Sequence, residues 1–223
     1  MCTFDWQSFL KRWSQEAMQS IRYDNKLPPH IIKSGWLGYP GATEAQITQT
    51  ESRLGTTLPH SYREFLKVTN GWYLTTPFVY KLWSTNEIEW FAKRRQGWLE
   101  DFIKRFKREH HMNTSLNGSD VHLKIPPVSD QEYLIYGYDQ DPKKLRVEYL
   151  NTALEISDRA NASIYLLNPQ IDLNKDGEWE TWCLEDSLPD NGHLCDDWRP
   201  GAARYRSFLE MMQEEYRSFS EMQ

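Results

Sequence analysis

Residues 41–73, GATEAQITQTESRLGTTLPHSYREFLKVTNGWY, leave little freedom to a chain that carries them. Thr43 is a good N-cap, and Gln46 three residues later completes a capping box. Ile47 and Leu54 fall on one face of the helix that follows, and Gly55 stands where a helix ends in a left-handed residue. The Leu58-Pro59 step is extended, because proline bars the residue before it from the helical region. A second helix carries Tyr62, Phe65, Leu66 and Val68 and stops at Asn70-Gly71. The pattern predicts two short helices held by glycine stops and a Leu-Pro step.

The ordered string Glu44, Ile47, Glu51, Leu54, Gly55, Leu58, Pro59, Tyr62, Arg63, Phe65, Leu66, Asn70 and Gly71 resembles the opening of the SUKH superfamily domain. That superfamily includes fungal cell-wall assembly regulators and many bacterial toxin-immunity proteins. A second match, in which Trp198 and Pro200-Gly201 lead into Arg204–Leu209, is similar to the family's closing helix. The resemblance divides the chain into an extension, 1–37, and an α+β domain, 38–223. It implies a non-enzymatic protein-binding role. In bacteria that role is mostly to bind and block a toxin, often a nuclease or other nucleic-acid-modifying enzyme. The alternative it implies is a regulatory or scaffold module like the cell-wall regulators. The diagnostic residues are capping and core positions, so they identify a fold and not a partner.

Hydrophobic residues make up 39% of the chain, but ten Trp and twelve Tyr among 223 residues supply a sizeable core. No apolar run approaches the ~20 residues that span a membrane. The N-terminus lacks the layout of a signal peptide. Cys2, Cys183 and Cys195 are an odd, sparse set that suits a reducing compartment, so the expected location is the cytoplasm.

Charge is divided along the chain. Residues 1–126 hold 17 Lys and Arg against 12 Asp and Glu, whereas 127–223 hold 9 against 20. A negative field of that kind attracts cationic partners and repels nucleic acid.

The expected fold class is α+β: N-terminal helices, a central antiparallel β-sheet and a closing C-terminal helix. Residues 4–22 read as an amphipathic helix capping the core, 25–40 as a connecting loop, and 78–83 as a strand. A long helix is predicted from Asn86 to about His110, with its basic residues from Lys93 to Arg108 as a solvated face. Strands follow at 133–136, 145–150, 153–156, 163–167 and 178–184, and a last helix runs from about Ala202 to Ser218.

Several patterns have the residue types of chemistry. Asp172, Asn174, Asp176 and Gly177 stand as at the start of a calcium loop, but Cys183 occupies the position of its bidentate glutamate. A hairpin turn at Asp176-Gly177 is the other reading. His193, Cys195 and Cys183 lack the paired spacing of a zinc site. Glu178 and Glu180 would lie about 6.6–7 Å apart on one strand face from strand rise alone, within reach of a hydrolytic carboxyl pair. The same alternation also describes a half-buried strand with Trp179 or Trp182 inward and its acids in solvent. No phosphate loop or nucleophile motif is present. The expectation is therefore no enzyme activity, no cofactor and no metal.

The acid-rich, aromatic stretch 172–198 remains as the expected contact surface. Its candidates are Glu178, Glu180, Trp182, Glu185, Asp186, Asp190, Asp196, Asp197 and Trp198, and its expected partner is a cationic protein, such as a toxin domain. The N-terminal helix and the helix 86–110 are alternative carriers of the partner site.

Overall fold

The computed structural model describes residues 4–19, 27–76, 79–100, 128–159, 163–185 and 201–221. The chain opens with α1 (Trp6–Gln19), α2 (Pro29–Ser34), α3 (Glu44–Leu54) and α4 (His60–Val68). The capping box forms: Thr43 Oγ1 accepts from Gln46 N, and Gln46 Oε1 accepts from Thr43 N at 2.8 Å. Gly55 closes α3 at φ +70°, where a Cβ would be strained. The expected loop at 25–40 contains α2, started by Pro29 and stopped by left-handed Gly35.

A two-stranded ribbon, β1 (Trp72–Thr76) and β2 (Val79–Leu82), leads to the main sheet. That sheet is antiparallel, in the order β3 (Glu89–Trp90), β4 (Leu154–Glu155), β5 (Ser163–Asn168), β6 (Glu180–Glu185), β7 (Gly201–Tyr205). Helix α8 (Phe208–Glu221) closes the chain. The expected α+β class, with helices at both ends of an antiparallel sheet, is what forms.

Four expected elements differ. The helix from Asn86 starts instead as a turn at 85–87, then β3, α5 (Phe91–Arg94) and α6 (96–100). Glu89 and Trp90 pair with Glu155 and Leu154, and sheet pairing outweighs local helical spacing. Residues 101–110 of that expected helix lie outside the described residues. Of the expected strand 133–136, Tyr133 ends a short helix, α7 (Asp130–Tyr133), whose first turn is capped by Ser129 Oγ accepting from Glu132 N, and 134–136 follow as turn and irregular backbone. Residues 147–151 form a 3-10 turn rather than a strand. Ala202 belongs to β7, and α8 begins only after Ser207, whose hydroxyl accepts from Glu210 N.

Alternation in β5 and β6 divides the core in two. Tyr165 and Leu167 face one side, with α1, α3, α4 and α8 over them. Ile164, Leu166, Trp182, Leu184 and Ala202 face the other, covered by α5, α6, α7 and the 3-10 turn. On the first side Phe208 meets Tyr62 and Phe65 with ring centroids 4.8 and 5.0 Å away. Edge-to-face rings of this kind add ~0.5–1.5 kcal/mol per pair to the burial itself. Both sides of the sheet are therefore buried, which makes an acid on β6 an interior residue unless it stands at a strand end.

Candidate functional site

The strand register decides which acids of 172–185 reach solvent. Asp172 accepts backbone N–H bonds from Asp176 at 3.2 Å and Gly177 at 3.0 Å, and Lys175 and Gly177 are left-handed at φ +54° and +82°. This is the hairpin turn between β5 and β6. Its flanks are strands, and both Asp172 oxygens are engaged by the turn's own backbone, which disfavours the calcium-loop reading.

Glu178 leaves that turn to reach α4. Its carboxylate accepts from Ser61 N at 2.6 Å and from Ser61 Oγ at 2.5 Å. Pro59 gives α4 no side-chain cap, so Glu178 satisfies an N-terminal N–H and places its charge where the helix dipole favours it. Beside it, an open cleft of about 550 Å³ is lined by Thr57, His60, Arg63, Asp176 and Trp179 among others. Arg63 in that cleft pairs with Glu44 and Glu51.

Glu180 and Trp182 do not face a partner. Both are fully buried, paired across β5 with Asn168 and Leu166. The Glu180 carboxylate accepts from Tyr133 Oη at 2.7 Å, Tyr136 Oη at 2.8 Å, Asn168 Nδ2 at 2.8 Å and Trp182 Nε1 at 2.7 Å. Burial first, and then the Glu180 charge, holds the Tyr133 and Tyr136 hydroxyls far above the usual phenol range. The supposed hydrolytic pair is thus drawn to opposite covers of the sheet, Glu178 to α4 and Glu180 to α7. Trp179 and Trp182 are both inward, and the acid between them is inward too.

Arg204 on β7 lies across from Trp182 and is fully buried. It donates to Lys144 O and, at 3.3 Å, to Ile135 O, with its guanidinium 4.5 Å from the Tyr133 ring centroid. On β4, buried Glu155 accepts from Arg95 Nε at 3.0 Å and Nη2 at 2.7 Å. Burial raises the Glu155 carboxyl pKa, and Arg95 opposes the rise. The expected solvated basic face is therefore partly committed: Arg95 to Glu155, Arg94 over Trp83 at 3.8 Å, and Lys93 to Glu89 at 2.7 Å.

Glu185, at the end of β6, is exposed. It pairs with Gly201, where β7 begins, and Gly201 packs on Pro142. Ala202 N donates to Pro142 O at 3.0 Å and Arg204 N to Gln140 Oε1 at 2.7 Å, so residues 140–142 cover the outer edge of β7. Just before them Leu134, Ile135 and Tyr138 are exposed, Tyr138 completely at 102%. Sequence reading took part of this segment for a strand and missed the patch; the signal available was a run of large apolar residues interrupted by Gly137. Asp186, Asp190, His193, Cys195, Asp196, Asp197 and Trp198 lie outside the described residues. Among the described residues no three His, Cys, Asp or Glu gather as a metal site, and no described helix is long and apolar enough to cross a membrane.

The family model of the SMI1 / KNR4 family (SUKH-1) matches residues 41–214. The chain belongs to that family. No curated protein matches it. The SUKH-1 match starts at Gly41, where a Cβ would collide with Lys67 O, and runs into α8. Helix α1 precedes the match, yet Trp6, Leu10 and Trp13 lie in the same core as the family's helices. Membership covers both immunity proteins and cell-wall regulators and does not separate them.

Proposed function

We propose that this SUKH-1 chain is a non-enzymatic, cytoplasmic protein-binding domain of the immunity type, which neutralises a toxin by covering its cationic, nucleic-acid-handling cleft. One observation carries the reading: the acid-rich segment that holds Asp186, Asp190, Asp196 and Asp197 leaves the sheet at Glu185 and rejoins it at Gly201, its direct partner across β6 and β7. In the sequence four acids fall between exposed Glu185 and Gly201, and a concentration of one sign of charge is what attracts a cationic cleft. Engagement of Glu178, Glu180 and Glu155 inside the fold, in a family that is generally non-catalytic, supports the absence of chemistry.

The test is co-expression with the protein encoded beside this one. Relief of growth arrest, together with a complex that weakens with salt and with Glu185→Gln/Asp186→Asn, is the expected result. A neighbouring product that is harmless, or a complex indifferent to salt and to those changes, would refute the toxin-covering reading. A complex with a cell-wall synthesis component would support the regulator alternative.

A further inference from the structure

Isolated exposed apolar side chains are ordinary, but clusters mark contact sites. Among the described residues the large hydrophobics left in solvent are Ile32, Leu134, Ile135, Tyr138 and Leu173, and three of these five fall within five consecutive positions. Tyr138 is the extreme case, fully exposed in the turn Gly137–Asp139.

This turn is fastened from below. Tyr136 donates to buried Glu180, and Arg204 donates to Ile135 O. Gln140 Nε2 donates to Gly137 O at 3.1 Å while its Oε1 accepts from Arg204 N. Gly137 takes φ +75°, which few other residues adopt without strain. A tyrosine on a clamped backbone loses little conformational entropy on binding, which is the property of an anchor.

The surroundings are acidic. Asp139 and Asp141 follow Tyr138, and Gly201 against Pro142 brings exposed Glu185 to the same end of the sheet. Of the nearby bases, Lys144 is paired with Glu132 at 2.7 Å, Arg146 with Asp130 at 2.5 Å and Arg206, over the Tyr136 ring, with Glu210 at 2.6 Å, while Lys143 is exposed.

We propose that Leu134–Asp139, with Asp141 and Glu185 beside it, is the contact surface for a basic protein partner, and that Tyr138 is its anchor. The partner supplies an apolar recess for the phenol ring and Lys or Arg around it. The proposal rests on the protein-binding reading above and adds the place of contact.

The test is photo-crosslinking of the full chain in its host, with p-benzoylphenylalanine at position 138 or, as control, at the exposed position 32 on α2. The captured protein is then purified and titrated against the unmodified chain and its variants. The expected result is an adduct at 138 and not at 32, with a protein of net positive charge. Tyr138→Ala should weaken its binding at least ~30-fold, and Tyr138→Phe by no more than ~3-fold. Asp139→Asn/Asp141→Asn should lower the association rate about fivefold and flatten its salt dependence. An adduct equal at both positions, an acidic captured protein, or wild-type binding by Tyr138→Ala overturns the proposal. If Tyr138→Ala and Asp139→Asn/Asp141→Asn bind normally while Glu185→Gln/Asp186→Asn does not, Leu134–Asp141 is not the contact surface and the protein-binding reading stands. If neither position captures a protein, both fall.

Discussion

The two faces of the five-stranded sheet are closed by different means. Over the first lie α1, α4 and α8, whose large buried side chains are Trp6, Leu10 and Trp13, then Tyr62, Phe65 and Leu66, then Phe208, Met211, Met212 and Phe219. Over the second lie the short pieces α5, α6, α7 and a 3-10 turn, and here the sheet itself offers Glu155, Asn168, Glu180 and Arg204, all fully buried. The reason is backbone accounting. A long helix satisfies its own N–H and C=O groups and needs only an apolar stripe. Short irregular segments leave carbonyls such as those of Ile135 and Lys144 without regular partners, and buried unpaired groups cost ~1–3 kcal/mol each. Arg204 bonds both carbonyls, and Glu180 gathers the hydroxyls and amides around it.

The largest expected effect tests the apolar face. Phe208→Ala removes a ring packed against Trp6, Tyr62 and Phe65 and should cost about 4 kcal/mol, read as a lowered urea midpoint with an unchanged slope. The polar face should come next. Glu180→Ala leaves three buried donors and the partly buried Tyr136 hydroxyl without their acceptor and should cost about 3 kcal/mol, while Glu180→Gln, which keeps one acceptor oxygen, should cost less. A loss under ~1 kcal/mol in Glu180→Ala would break the comparison, since polar fastening would then contribute nothing to closure.

A third prediction concerns a carboxyl of α8 on the apolar side. Burial lifts the Glu215 carboxyl on α8 from 4.5 to about 7, and the neighbouring Tyr165 hydroxyl opposes the rise. The folded state therefore holds a proton that the unfolded chain releases between these values. This contribution is fully present below pH 4.5 and is lost as pH rises through 7, an effect of about 3 kcal/mol at most. Glu215→Gln should flatten the stability profile between pH 5 and 7 and gain about 2 kcal/mol at pH 8. A profile of unchanged slope in that variant would show that the carboxyl is solvated.

The same contrast explains how far the fold and the site were legible in the sequence. Thr43, Gln46, Gly55 and the Leu58-Pro59 step act through local geometry, and the helices they specify form, although α4 ends at Val68 on an extended Thr69 and not on the expected Asn70-Gly71 stop. The stripes of α1 and α8 repeat at helical spacing, so the first face could be anticipated. On the second face Tyr133–Tyr136 and Leu145–Leu150 are apolar runs too short for periodicity to separate strand from turn. Which way Glu180 points is a matter of register with Asn168, fixed by a neighbouring strand and invisible in the strand's own alternation. Alternation alone places Glu180 in solvent on a sheet with one wet face; because both faces are covered, Glu180 turns inward. The end of the sheet where exposed Glu185 stands opposite Gly201, which packs on Pro142, depends on contacts between residues far apart in the chain, and no local signal announces it.

The smallest effect belongs to Glu178, and it separates a structural acid from an interface acid. Its carboxylate spans from the β5–β6 turn to the first turn of α4. Glu178→Gln keeps an oxygen for Ser61 N and removes only the charge, whose interaction with a helix N-terminus is worth ~0.3–1 kcal/mol. The expected loss in thermal stability is within that range and should shrink in high salt. Partner binding should not change, because the carboxylate is already engaged, whereas Glu185→Gln at the open end of β6 should leave stability alone and slow association. The reverse pattern, with Glu178→Gln weakening the complex and Glu185→Gln neutral, would move the contact surface from the far end of the sheet to the α4 side.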